Sequence, residues 1–201
     1  DLAWMLPELR KSDGFKKMVD KIWPGLSGAQ IVRSLLGSPT NRKRAIDGLL
    51  VADEAALLLQ RSSAKKIAEE QWTAADLPLL DEANAFVSGG GRTYGHVVVD
   101  EAQDLSSMAL RAAGRRSSSG SMTILGDIAQ ATGVGAQDSW DAVARGLGVD
   151  PQTLRRRELT VGYRVPGPIL DYANQLLPVT APDIMPSTSI RSRGLGAEHH
   201  E

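Results

Sequence analysis

Asp100 and Glu101 stand side by side at the end of an apolar run in "HVVVDEAQDLS" (96–106), and Asp104 follows within the same stretch. A hydrophobic strand that runs into Asp-Glu is the Walker B arrangement. The first acid holds Mg²⁺, usually through water, and the second positions the water that attacks a γ-phosphate. A divalent cation offsets the cost of crowding two acids at a strand end. On this pattern Asp100 and Glu101 are the metal candidates, and Glu101 is also the candidate base. The alternative is a plain strand-to-helix turn in which Asp100 or Asp104 caps the helix that follows.

The elements that must position these acids can be read outward from them. Three valines in a row predict a short strand buried on both faces. "SMTILGD" (121–127) predicts a second strand that also ends in acid, and "LSSMALRAAGRR" (105–116) predicts the helix linking two parallel strands. Ligands of such sheets gather outside the carboxyl ends of the strands, which is where Asp100, Glu101 and Asp127 fall. "DSWDAVARGL" (138–147) reads as another short helix and "RRRELTVGYR" (155–164) as a strand-like stretch. "PGPILDYANQLL" (166–177) reads as a helix with Pro166 or Pro168 near its start and Ile169, Leu170, Ala173 and Leu177 on one face. Beyond Pro178 the chain is rich in Pro, Ser, Thr and Gly and is expected to be loop or disordered.

Upstream the signals are helical. "LSGAQIVRSLLG" (26–37) offers Ser27 as N-cap, an apolar face of Ile31, Val32, Leu35 and Leu36, and Gly37 as a stop. In "WTAADLPLLDEA" (72–83), Thr73 and Asp76 have capping-box spacing and Pro78 falls in the first turn. Between these, charges alternate with Leu49, Leu50, Leu57, Leu58 and Leu59, which predicts helices packed on one face and solvated on the other. The glycine run "SGGGRTYG" (88–95) marks a junction after which the periodicity changes.

Composition limits the classes. The chain has 201 residues, 42% hydrophobic, with 23 Lys+Arg against 24 Asp+Glu. A formal net charge of -1 exerts no global pull on nucleic acid, so such contacts would need a local patch. The absence of cysteine excludes disulfides and thiolate zinc sites and fits a reducing compartment. No apolar run reaches the length of a membrane span and no secretory leader opens the sequence, so a soluble, cytoplasmic protein is expected. "RRR" at Arg155 to Arg157 reads as a solvated charge run or a contact to nucleic acid or a protein. His199 and His200 lack a third ligand and read as tail rather than metal site.

Three ordered blocks carry a resemblance. "VVVDEAQD" (97–104), then "MTILGDIAQ" (122–130), then "ELTVGYRVPGPILDYAN" (158–174) resemble motifs II, III and IV of the superfamily 1 helicases of the UvrD/Rep type. The wording of the second block, "GYRVP" and the upstream "WTAADLPLLDEA" look most like the HelD helicase-like factors of bacterial RNA polymerase. The resemblance implies an α/β fold with a partial RecA-like P-loop NTPase core, preceded by a mostly helical region. It implies ATP and Mg²⁺ as cofactors, Asp100 as the magnesium acid and Glu101 as the catalytic base. Gln103 would link the first block to its neighbours, Gln130 would sense the γ-phosphate, Arg164 would be the arginine finger and Tyr163 would stack on adenine. Taken singly, the duller roles are a surface glutamine, a core-filling tyrosine and an arginine on strand carbonyls.

Two departures bound the expectation. No G-x-x-x-x-G-K-[ST] occurs in the 201 residues, so the phosphate cradle is lacking and this stretch by itself is expected to be inactive. "QATGVGAQDSW" (130–140) offers small residues until Trp140, where UvrD-type proteins carry aromatics that stack on single-stranded bases. The chain begins with Asp and ends in "GAEHHE", and it is expected to be a piece of a longer protein. The expected organisation is a helical insertion at 1–90, the last part of a first RecA-like domain at 91–150, the start of a second at 151–178, and a flexible tail at 179–201. The parent is expected to couple ATP hydrolysis to releasing RNA polymerase from nucleic acid. The alternatives are a DNA translocase of the repair type and a degenerate interaction module that never turns over.

Overall fold

The computed structural model describes residues 5–58, 66–182 and 184–191. Leu59, His199 and His200 lie outside them. The protein is mixed α/β and falls into two units, Asp1–Gly91 and Arg92–Glu201.

The first unit contains α1 (Met5–Lys11), α2 (Asp13–Ile22), α3 (Gly28–Gly37), α4 (Pro39–Ile46), α5 (Ala52–Leu57) and α6 (Leu77–Ser88). Its framework is α3 against α6. Ser27 starts α3 as the sequence predicts: its Oγ accepts the Gln30 N–H at 3.2 Å while Gln30 Oε1 accepts the Ser27 N–H at 2.6 Å. This reciprocal cap is worth roughly 0.5–2 kcal/mol. The Gly28 N–H donates to Asn84 Oδ1 at 3.0 Å, tying the start of α3 to α6, and Val32 and Ala83 are buried. Asp76, also buried, accepts both the N–H and the hydroxyl of Thr73 at 2.7 Å, and Pro78 sits in the first turn of α6. Arg33 Nε pairs with Glu70 Oε2 at 3.4 Å, with the Glu70 side chain nearly covered. The leucines do not all turn inward as the alternating pattern predicts. Leu49 is 77% exposed and Leu50 is exposed beside it, because both lie in the turn between α4 and α5, where helical periodicity has no meaning.

The second unit is built on β1 (Val97–Val99) and β2 (Met122–Ile124), parallel, with Val97 opposite Met122, Val98 opposite Thr123 and Val99 opposite Ile124. The helix between them, α7 (Ser107–Gly114), packs on α8 (Trp140–Leu147). Val99, Ala102, Leu110, Val143 and Leu147 form the buried core. The two helices meet closely. A Cβ at Gly146 would lie 2.8 Å from Leu110 Cδ1, and one at Gly114 would collide with the Leu147 carbonyl.

Burial of β1 differs from the sequence expectation. Val99 is buried at 8% exposure but Val98 is 61% exposed, so only one face of the strand is covered. Val97 and Val99 face the helices and the two-residue period sends Val98 to the other side. That side is polar: His96 Nδ1 lies 2.8 Å from Ser121 Oγ and its Nε2 lies 3.0 Å from Thr123 Oγ1.

Further along, β3 (Val161–Gly162) pairs in parallel with β4 (Thr188–Ser189), joined through α9 (Gly167–Asn174) and the short α10 (Leu177–Thr180). Two corrections to the sequence reading follow. Of "RRRELTVGYR", only Val161 and Gly162 are strand. The stretch after Pro178 is not all loop, because β4 is held there by the Asn174 Nδ2 bond to the Ser187 carbonyl (2.8 Å) and the Gly167 N–H bond to the Arg191 carbonyl (2.8 Å). Among the described residues no helix is long and apolar enough to cross a membrane.

Candidate functional site

The acids occupy the carboxyl end of β1. Parallel pairing continues just past the strands, with the Leu125 N–H donating to the Val99 carbonyl at 2.8 Å and the Ala102 N–H donating to the Leu125 carbonyl at 3.0 Å. These two bonds fold the chain after Val99 back over the end of β2. Glu101, between them, adopts φ 51° and ψ 42°, and it is the sole non-glycine residue with positive φ among those described. A left-handed L-residue costs roughly 1–2 kcal/mol. Here Asp100 Oδ1 accepts the Glu101 N–H at 2.9 Å and the Glu101 carbonyl accepts the Asp104 N–H at 3.1 Å. Strained backbone of this kind concentrates at functional positions.

Gln103 is the hub. It is 1% exposed, its Nε2 donates to Glu101 Oε2 at 2.8 Å and its Oε1 accepts the Asp127 N–H at 3.0 Å. Asp127 in turn accepts the Ala129 N–H at 3.0 Å and Gln130 Nε2 at 2.7 Å. One continuous set of hydrogen bonds therefore runs Glu101, Gln103, Asp127, Gln130, from the end of β1 to the end of β2. Asp104 serves the same loops, accepting the Thr132 N–H at 3.3 Å. Asp104 and Asp127 thus accept backbone N–H groups of the loops that turn the chain after the strands.

Gly126 makes this approach possible. A Cβ there would collide with Gln103 Oε1 and would lie 3.2 Å from the Ala102 nitrogen and 3.4 Å from the Trp140 ring. Gly126 and the acceptor role of Asp127 toward Gln130 escape sequence reasoning, although the "GD" after an apolar strand is the signal that marks them. Gln137 escapes it too. Buried at 6% exposure, it donates its backbone N–H to the Gln103 carbonyl at 2.7 Å and its Nε2 to the Leu105 carbonyl at 2.8 Å.

Asp100 and Glu101 each have one oxygen engaged and one without a donor among the described residues, Oδ2 and Oε1. Both side chains belong to exposed residues. Among the described residues no cluster of three or more His, Asp or Glu is placed to cage a metal. Two open carboxylate oxygens suit Mg²⁺, which keeps several waters and takes one or two carboxylates alongside substrate phosphates.

Tyr163 and Arg164 lie together elsewhere, just after β3. Tyr163 is 66% exposed and the Arg164 guanidinium lies 5.9 Å from its ring centroid, while the Arg164 carbonyl accepts Arg191 Nη1 at 2.9 Å. Among the described residues no hydrogen bond or ion pair joins this pair to the acids. Glu101, Gln103 and Gln130 are thus brought into one network and Tyr163 and Arg164 are not. In the Arg155–Arg157 run, Arg156 pairs with Asp141 and Arg157 Nη1 donates to the Arg156 carbonyl.

No protein-family model matches the chain, and comparison with curated proteins gives no match.

Proposed function

We propose that the chain is the catalytic-acid portion of a helicase-like ATPase with a RecA-like core, whose parent couples ATP hydrolysis to remodelling or releasing RNA polymerase from nucleic acid. The observation that carries the reading is the hydrogen-bonded run from Glu101 through Gln103 and Asp127 to Gln130, at the carboxyl ends of two parallel strands. That edge is where α/β sheets bind ligands.

In this reading Asp100, whose Oδ2 has no donor among the described residues, would hold Mg²⁺. The ion would supply neutralisation of phosphate charge there. Glu101 Oε1 orients the attacking water, and Gln103 fixes the carboxylate by holding its other oxygen. Gln130, tethered by Asp127, meets the γ-phosphate. Arg164 and Tyr163 engage the nucleotide from the β3 side, with the guanidinium placing bidentate charge on phosphate oxygens as bonds break.

The test uses a longer polypeptide that carries this sequence together with a phosphate-binding loop. Glu101→Gln is expected to lower ATP turnover by at least about 100-fold, since it removes the group that orients the nucleophile. Unchanged turnover rejects the catalytic assignment. Stimulation by RNA polymerase supports the remodeller, and stimulation by single-stranded DNA alone moves the assignment to a DNA translocase. No turnover under any of these conditions leaves the interaction module as the better reading.

A further inference from the structure

The groove between α7 and α8 is chemically distinct from the acid-bearing edge. It is an open surface groove of about 340 Å³. Ala142 and Gly146, one turn apart on α8, line it with little side-chain bulk. Met108 supplies an apolar wall, Arg111 projects from α7 and Arg145 from α8.

Three further features define what fits. First, Ser107 and Met108 open α7, and their N–H groups have no acceptor among the described residues, whereas the Ala109 N–H is taken by Ser106 Oγ (3.3 Å) and the Leu110 N–H by the Ser106 carbonyl (2.9 Å). Second, Gln137 borders the groove at 6% exposure. Its Nε2 is fixed by the Leu105 and Gly135 carbonyls, at 2.8 and 3.2 Å, and this leaves Oε1 as an acceptor with no donor among the described residues. Third, the nearest acid on α8, Asp141, is already paired with Arg156, and Asp138 accepts the Ser139 hydroxyl at 2.9 Å. Arg145 has no ion pair among the described residues.

A bare anion satisfies the Arg145 guanidinium and the helix start but not the Gln137 acceptor. A nonpolar ligand satisfies neither. An acidic peptide offers all that is asked for: a carboxylate for the guanidinium and the free N–H groups, a backbone N–H for Gln137 Oε1, and aliphatic stem against Met108, Ala142 and Gly146. We propose that the α7–α8 groove is a docking site for an acidic segment of a partner protein. This inference is independent of whether the chain belongs to an ATPase.

The experiment is fluorescence anisotropy of a labelled Asp/Glu-rich peptide against the full 201-residue chain. Saturable binding is expected, weakened at least tenfold by Arg145→Glu and by Ala142→Leu, and changed less than twofold by Arg155→Ala, an exposed arginine outside the groove. Circular dichroism checks the fold of each variant, and the exposed Arg145→Glu change carries the test if Ala142→Leu unfolds. Absence of binding by the wild-type chain overturns the proposal. So does equal weakening by Arg155→Ala, which would report unspecific charge attraction, or retained binding in a folded Ala142→Leu protein. Tighter binding of a single-stranded oligonucleotide that is lost in Arg145→Glu reassigns the groove to nucleic acid and overturns it as well.

Discussion

The Gly126 backbone lies directly against the side-chain carbonyl of Gln103, so closely that the site between β1 and β2 has no space for a Cβ. Gly126→Ala is therefore expected to destabilise the second unit by about 1–3 kcal/mol, the usual cost of overpacking. It also pushes Gln103 off the Asp127 N–H. Urea denaturation followed by circular dichroism measures the change, and a loss under about 0.5 kcal/mol, the range of a neutral surface substitution, rejects the close contact.

Gln103→Leu keeps the volume and removes two hydrogen bonds at a fully buried position. The Asp127 N–H loses its acceptor, at an expected cost of about 1–3 kcal/mol. The Asp127 amide should also exchange faster with solvent, which hydrogen-exchange NMR detects. Unaltered exchange there would show that Gln103 does not hold the second loop.

Glu101 separates backbone strain from side-chain chemistry. Both Glu101→Ala and Glu101→Gly lose the bond to Gln103, but only glycine accepts φ 51° without penalty. The glycine variant is expected to be more stable than the alanine variant by about 1 kcal/mol, reversing the order found in a helix or strand interior. Equal stability, or alanine ahead, removes the left-handed conformation.

Much of this framework is legible in the sequence. The caps at Ser27 and at Thr73–Asp76 are short-range signals, fixed by residues three apart, and they form as read. The parallel pair flanking one helix follows from two β-branched runs of the right length. The exposure of Val98 was not legible, since a run of valines gives the strand but not the number of layers packed on it. Leu49 and Leu50 mislead for a similar reason: apolar spacing runs on through a turn, where it has no helical face to mark. Within the site, the adjacent acids stand out in the sequence, whereas the Gly126–Gln103 contact and the Asp127–Gln130 bond depend on loops brought together from separate strands. β4 was hidden because its two residues pair with a strand nearly thirty positions earlier, in a segment of loop-like composition.

The two neighbours on β1 offer a paired test of its one-sided burial. Val98→Thr is expected to change stability by less than about 0.5 kcal/mol, as at a surface position. Val99→Ala should cost about 1–2 kcal/mol, from the two buried carbons removed and the space left behind. Thermal melts of the two variants decide it, and equal effects contradict the burial difference.

Parallel pairing engages the peptide groups of Val97 and Val99 with β2, through the Ser121 carbonyl and the Leu125 N–H, and directs those of Val98 to the opposite margin. Among the described residues no strand occupies that margin. The ribbon carrying Asp100 is thus braced along a single rail, and its amides are expected to exchange through local fraying more than through collapse of the whole unit. An extended segment laid along the bare rail would stiffen the acids from behind without touching either carboxylate.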